Sequence, residues 1–294
     1  MTATQHLPLI SALSDFVTIV KKDDVKMIKI AHPKAEAMIS LFGAHVTSFK
    51  PTGQKDLLWM SEKGLYDGKT PLRGGIPVCW PWFARAAQPN HGFARTSEWE
   101  LVEHRENEDG VIVRLGLIQN EETLAIWPHK FELFIDVEVS DELNTTLHIK
   151  NTDDKAWKFS SALHTYFNIA DINQTEITGM GASFIDKLQA GKVCTGGDAL
   201  TFTAGVDRVY TDPSQEVCIR DPQNERTISV INGGNDAAVI WNPWELAAGM
   251  DDMDADGYLT MVCVESTLYA DSLETGKQLE PNETHQISTR LSLK

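Results

Sequence analysis

Phe131-Glu132-Leu133-Phe134-Ile135-Asp136-Val137-Glu138-Val139 decides the fold class. Phe131, Leu133, Ile135, Val137 and Val139 recur at every second position, with Glu132, Asp136 and Glu138 between them. Successive side chains of an extended chain point to opposite faces, so this period buries one face of a strand. Leu143, Thr145, Leu147 and Ile149 repeat the pattern after a short break, and Val111, Val113, Leu115 and Leu117 precede it. Between Val111–Leu117 and Phe131–Val139, Glu121–Trp127 is expected as a short helix stopped by Pro128.

Outward from this centre the chain keeps the same habit. Met27–Ala31, Ala37–Leu41, Ala44–Phe49 and Leu57–Met60 are expected strands toward the N-terminus. Residues 1–20 carry no decisive pattern and are expected as a short helix over Leu9–Val20 or as a loosely ordered lead. Toward the C-terminus, Glu216–Ile219 and Thr227–Ile231 form an expected hairpin across Asp221-Pro222-Gln223-Asn224. Ala237–Trp241, Met261–Glu265 and His285–Leu293 are further strands, and the acidic segment 244–258 is expected as a solvated loop or one helical turn. Many short alternating strands with few helices predict an all-β chain, a large antiparallel β-sandwich. No composition shift marks a linker, so residues 1–294 are expected as a single domain.

One of these stretches is unlike the others. In Phe159-Ser160-Ser161-Ala162-Leu163-His164-Thr165-Tyr166-Phe167-Asn168-Ile169, Leu163, Thr165, Phe167 and Ile169 share one side of an extended chain. His164, Tyr166 and Asn168 share the other, which sets an imidazole, a phenol and an amide over a core. A histidine titrates near neutral pH and suits proton transfer. Glu265 ends the valine-rich run Met261-Val262-Cys263-Val264, where burial raises a carboxyl toward the range of a general base. Each residue alone reads more simply as structural.

Residues 61–98 hold too many glycines and prolines for long elements, yet Trp80, Trp82, Phe83 and Phe93 are too apolar for a linker. A folded functional loop is expected there, and it carries Arg73, Arg85, His91 and Arg95. Arginine grips phosphate through its planar fork of donors, and Gly74-Gly75 after Arg73 would let backbone N–H groups approach an anion. His91, His164, Asp207 and Glu265 could meet on one ion, but no HxH, HExxH or paired CxxC supports a metal. Ser160 and Ser161 near His164 lack a GxSxG elbow, and no P-loop or GxGxxG exists.

The bulk properties narrow the classes. Asp and Glu number 42 against 26 Lys and Arg, for a net charge of −16, which argues against a non-specific nucleic-acid binder. An anionic ligand would need a local arginine site. The four cysteines, Cys79, Cys194, Cys218 and Cys263, form no close pair and read as reduced thiols. With no signal-like opening and no membrane-length apolar run, a soluble cytoplasmic protein with no membrane partner is the expectation.

The motifs Arg73-Gly74-Gly75-Ile76-Pro77, Trp80-Pro81-Trp82-Phe83, His91-Gly92-Phe93-Ala94-Arg95, Ala162-Leu163-His164-Thr165-Tyr166-Phe167, Asp207-Arg208-Val209-Tyr210, Trp241-Asn242-Pro243-Trp244 and Val262-Cys263-Val264-Glu265 run in order along most of the chain. Together they resemble the D-hexose-6-phosphate mutarotases, or glucose-6-phosphate 1-epimerases, of the aldose 1-epimerase superfamily. The resemblance implies a galactose-mutarotase-like β-sandwich and no cofactor. It implies His164 and Glu265 as a catalytic pair that interconverts sugar anomers by ring opening and closure. Arg73, Asn90, Arg95, Asp207 and His91 would bind a hexose 6-phosphate, with Asn90 standing where some relatives carry glutamine. Trp82, Phe93 or Tyr166 would wall the sugar ring. Two rivals stand beside it: a mutarotase for unphosphorylated aldoses such as galactose, and a carbohydrate-binding sandwich without catalysis. Sequence does not fix the oligomeric state, and a monomer is the simplest expectation.

Overall fold

The computed structural model describes residues 7–294, and every strand ladder in it is antiparallel. The alternating runs at the centre of the sequence become adjacent long strands. Val111–Ile118, Phe131–Val139 and Leu143–Asn151 pair in sequence order inside a nine-stranded sheet, and their alternate residues are buried. Thr284–Leu293 and the hairpin Glu216–Asp221/Arg226–Gly233 extend that sheet. The short helix forms as Glu121–Ile126, capped by the Asn120 side chain on the Thr123 N–H.

A second sheet carries the chemistry. It runs from Lys192–Thr195 through Ser183–Asp186, Val206–Tyr210, Ala237–Asn242 and Met261–Leu268 to Ser161–Leu163 and Val78–Cys79, with Tyr166–Asn168 also paired to Met261–Leu268. A five-stranded meander over residues 9–51 and a two-stranded sheet of Trp157–Phe159 with Lys277–Leu279 complete the architecture. Val17, Ile28, Phe49, Leu133, Leu147, Leu163, Phe167, Ile240, Val264 and Leu291 all belong to one apolar cluster shared by the three larger sheets. The apolar side of the 159–169 stretch therefore faces the core, as its alternation requires.

Three expectations about elements need correction. Residues 9–20 are not helical: Leu9–Ala12 and Val17–Lys22 are strands, the second built from β-branched Val17, Thr18, Ile19 and Val20 paired to Val25–His32. Residues 1–6 of the expected lead lie outside the described residues. Leu57–Met60 is not a strand but touches its neighbours through isolated bridges, Leu58 to Phe167 and Met60 to Gly74. The 159–169 stretch is two short strands interrupted at His164 and Thr165. There the His164 N–H bonds the Pro77 carbonyl at 3.0 Å, and proline has no N–H to return.

The long loop is folded as expected, but its aromatics do a different job. Trp80, Trp82 and Phe93 are buried in the main core, where Trp80 packs edge-on to Phe93, Trp127 and Phe131. Gly92 is required at its turn: its φ is +70°, and a Cβ there would meet the Trp80 carbonyl oxygen at 2.0 Å.

Candidate active site

The site is built by strand register. Leu163 pairs with Ser266 and Tyr166 with Cys263 in one unbroken register, which sets His164 directly across from Glu265. On the next strands Glu265 pairs with Val239 and Val239 with Val209, while Cys263 pairs with Trp241 and Trp241 with Asp207. His164, Glu265, Val239, Val209, Trp241 and Asp207 thus occupy one face of the second sheet, and they line a cleft of about 610 Å³. The opposite face of the same strands is core.

His164 Nε2 lies 3.4 Å from Glu265 Oε1, and Glu265 is 1% exposed. Nδ1 of His164 and Oε2 of Glu265 have no protein partner. The imidazole stacks on Tyr166, with centroids 4.8 Å apart and planes 9° from parallel. Burial pushes the Glu265 carboxyl well above its ordinary range, and the charge of Asp207 adds to this. Burial pushes His164 well below its ordinary value, followed by His91, Arg73 and Arg95. Both shifts favour the neutral forms of the pair, with the proton on the carboxyl.

The polar residues expected around this pair are brought together in part. Asp207, Asn90, His91 and Arg73 line the cleft. Burial raises the Asp207 carboxyl. The Arg73 guanidinium bonds Asp252 at 3.0 and 3.1 Å and the Tyr166 hydroxyl at 2.9 Å. Arg95 is not among the lining residues: its guanidinium donates to the Asn90 carbonyl at 2.9 Å, near enough for its charge to act on His164.

Other expectations fail at close range. The Gly75 N–H is not free to meet an anion, because it is bonded to the Trp59 carbonyl at 2.8 Å. A Cβ at Gly74 would meet that same oxygen at 2.4 Å, so the glycines serve chain packing. Trp82 and Phe93 do not wall the cleft, while Phe83 and Trp241 do and Tyr166 lies beneath His164. The acidic segment 244–258 is not merely solvated: Ala247 and Met253 are buried, Met250 lines the cleft and Asp252 holds Arg73.

Sequence reading missed Lys187, Tyr269 and Asp271, which line the rim as a linked group. Lys187 Nζ bonds the Tyr269 hydroxyl at 2.6 Å and Asp271 at 3.2 Å. Nothing near these residues in sequence signals a site, since only the pairing of distant strands gathers them. Exposed Arg85 also lines the cleft, and its place in the aromatic loop was the available signal. Among the described residues His164, Cys263 and Glu265 offer donor atoms within 4.8 Å of one another, a set that could hold an ion, in place of the expected His91, His164, Asp207 and Glu265.

A paired buried acid and imidazole on the floor of a polar cleft can move a proton on and off neighbouring oxygens. Known proteins agree on what such a fold is. The sequence profile of the aldose 1-epimerase family matches residues 26–292. A protein of Escherichia coli (strain K12) named "Putative glucose-6-phosphate 1-epimerase" is 40% identical over 95% of this chain and 94% of its own. The crystal structure of a "putative mutarotase (YeaD)" from Salmonella typhimurium superposes with a TM-score of 0.92 at 35% identity, covering 98% of this chain and 96% of that one. A galactose mutarotase related enzyme from Lactobacillus acidophilus shares the fold, with a TM-score of 0.73 at 17% identity over 91% of this chain and 97% of its own.

Proposed function

The chain belongs to the aldose 1-epimerase family, and from that premise we propose that it interconverts the α and β anomers of hexose 6-phosphates, glucose 6-phosphate foremost, without a cofactor. The observation that carries the reading is the His164–Glu265 pair, 3.4 Å apart on the cleft floor. Anomerisation needs one proton taken from the C1 hydroxyl and one given to the ring oxygen. Glu265 takes the first and His164 gives the second. The ring opens, the C1–C2 bond turns, and the same two groups exchange roles as the opposite face closes.

Ring opening by this route leaves Glu265 protonated and His164 neutral, the arrangement that burial favours. The closed-ring stage needs the charged pair instead. Arg73 and Arg95 oppose that state by depressing His164. A bound phosphate dianion would offset both arginines and so favour the imidazolium. The phosphate would then serve the chemistry as well as the binding. Asp207 and Asn90 are placed to hold sugar hydroxyls, with Trp241 against the ring.

Several coarser points belong to the same proposal. One shared core supports a single domain. All four cysteines are free, which suits a reducing, cytoplasmic setting, and no helix among the described residues is long and apolar enough to cross a membrane. A monomer is the simplest assembly for this proposal.

Polarimetry or exchange NMR on freshly dissolved α-glucose 6-phosphate, with α-galactose and glucose alongside, tests the function. His164→Ala and Glu265→Gln are each expected to lower the rate about 10²–10⁴-fold with the fold retained by circular dichroism. Near-native rates in His164→Ala would remove its role as the acid. Equal rates on phosphorylated and plain sugars would favour the unphosphorylated-aldose reading, and no turnover of either would favour a binding module. Loss of activity on chelation that added metal restores would assign the His164–Cys263–Glu265 cluster to an ion.

A further inference from the structure

We propose that Cys79 is a positioning residue for His91, its thiol joining the Ala84 backbone N–H in holding the ring in the tautomer that offers an Nε2–H to an oxygen of the substrate. Two donors meet the same ring nitrogen. The Ala84 backbone N–H lies 3.3 Å from His91 Nδ1, and Cys79 Sγ lies 3.3 Å from that atom as well. A backbone amide only donates, so Nδ1 must present its lone pair. Placing a proton on Nδ1 would set N–H against N–H.

The thiol, 3.3 Å from that lone pair, is placed to donate as well, and its surroundings keep the proton on sulfur. Cys79 is fully buried, which pushes its pKa up to about 12. Burial also pushes His91 down to about 3, helped by Arg95 and Arg73, so the ring is neutral. A neutral imidazole with a free lone pair on Nδ1 carries its proton on Nε2. Nδ1 is tied to the protein interior and His91 lines the cleft, so Nε2 is on the open side.

The ring has little freedom to do otherwise. The His91 N–H bonds the Ala84 carbonyl at 2.8 Å, so backbone and ring hold the same residue. The His91 backbone is left-handed at φ +63°, and the next residue is the crowded Gly92. Phe83 packs edge-on at 5.3 Å, and the His164 ring is 5.6 Å away. His91 is thus a fixed donor beside a titrating pair, suited to a sugar or phosphate oxygen. It does not share the proton traffic of His164.

The kinetic part of this inference rests on the proposed anomerase activity, whereas the tautomer does not. Histidine-nitrogen NMR of the intact protein is expected to show His91 neutral, with bare Nδ1 and protonated Nε2, from about pH 5 to about pH 8. Cys79→Ala should shift the Nδ1 resonance and raise KM for glucose 6-phosphate about 3- to 10-fold, the loss of one hydrogen bond, with little change in kcat. Cys79→Ser keeps a donor and should restore most of both. An Nδ1–H tautomer or a cationic ring in the wild type overturns the proposal, even if Cys79→Ala does not fold. So does a folded Cys79→Ala with unchanged nitrogen shifts and KM, or a Cys79→Ser that behaves like Cys79→Ala. If neither sugar turns over, the nitrogen resonances still decide the tautomer while the anomerase reading falls.

Discussion

Glu265 is 1% exposed, and its Oε2 has no protein partner, so the fold keeps a carboxyl where ionisation is costly. Below its ordinary pKa of 4.5 the group is protonated in folded and unfolded chains alike. Above that value the unfolded chain releases the proton while the folded chain retains it. The stabilising contribution of the raised pKa is therefore full at low pH and is lost as pH rises through the folded value. His164 runs the other way. Its lowered pKa contributes fully above 6.5 and loses that contribution as pH falls, because the unfolded chain takes up the proton first. Glu265→Gln removes the first dependence and keeps the second. Its Tm relative to wild type is expected to rise with pH across the range above 4.5. The slope is at most about 1.4 kcal/mol per pH unit, or about 2–4 °C. Thermal melts at a series of pH values check this, and a Tm difference that stays flat with pH would mean Glu265 ionises freely. Residue identity alone made both members of the pair legible, through alternation at His164 and the buried run before Glu265. The rise at Glu265 was legible from its buried run, but the depression of His164 was not, because it comes from burial and from His91, Arg73 and Arg95 arriving from elsewhere in the chain.

At the level of elements, the strands and the loops record themselves differently in sequence. Phe131–Val139 and Leu143–Asn151 alternate because each has one face in the core, and that pattern is local. Segment 244–258 has no period, and its acidic residues read as solvated. Its structure comes from burying Met253 and Ala247 and from the Asp252–Arg73 ion pair, both contacts with distant residues. That pair has a functional consequence. Asp252 occupies donors of Arg73 that a phosphate would use, and it is partly exposed, so the pair is worth about 0.2–1 kcal/mol. Asp252→Asn is therefore expected to lower KM for glucose 6-phosphate about 1.5- to 5-fold. Arg73→Ala should raise it about 10- to 100-fold, with far less effect on any activity toward plain glucose. Steady-state kinetics on both sugars check the pair. A rise in KM for Asp252→Asn would show that the carboxylate orients Arg73 for the substrate and does not compete with it.

For the whole molecule the question is how a chain of net charge −16 takes up a dianion. Range decides between repulsion and attraction. The Debye length is about 30 Å at 0.01 M salt, so at low ionic strength the acidic surface acts on the approaching phosphate together with the cleft. At 0.15 M it is about 8 Å, and only the charges of the cleft remain in range. There Arg73, Arg85 and Lys187 stand against Asp207 and Asp271, with Asp252 already committed to Arg73 and Lys187 to Asp271. At about 1 M the length shrinks to about 3 Å, and the arginines are screened as well. KM for glucose 6-phosphate is thus expected to pass through a minimum as salt rises from about 0.01 M to about 1 M, whereas KM for plain glucose stays level. A salt titration of both substrates, with a weakly coordinating anion so that the cleft is not simply occupied, makes the comparison. A KM that climbs from the lowest salt onward would mean that the cleft's cations dominate at every distance and the acidic surface has no part in substrate capture. A KM that only falls would mean that they hold no phosphate, which would leave the sugar ring alone to account for binding.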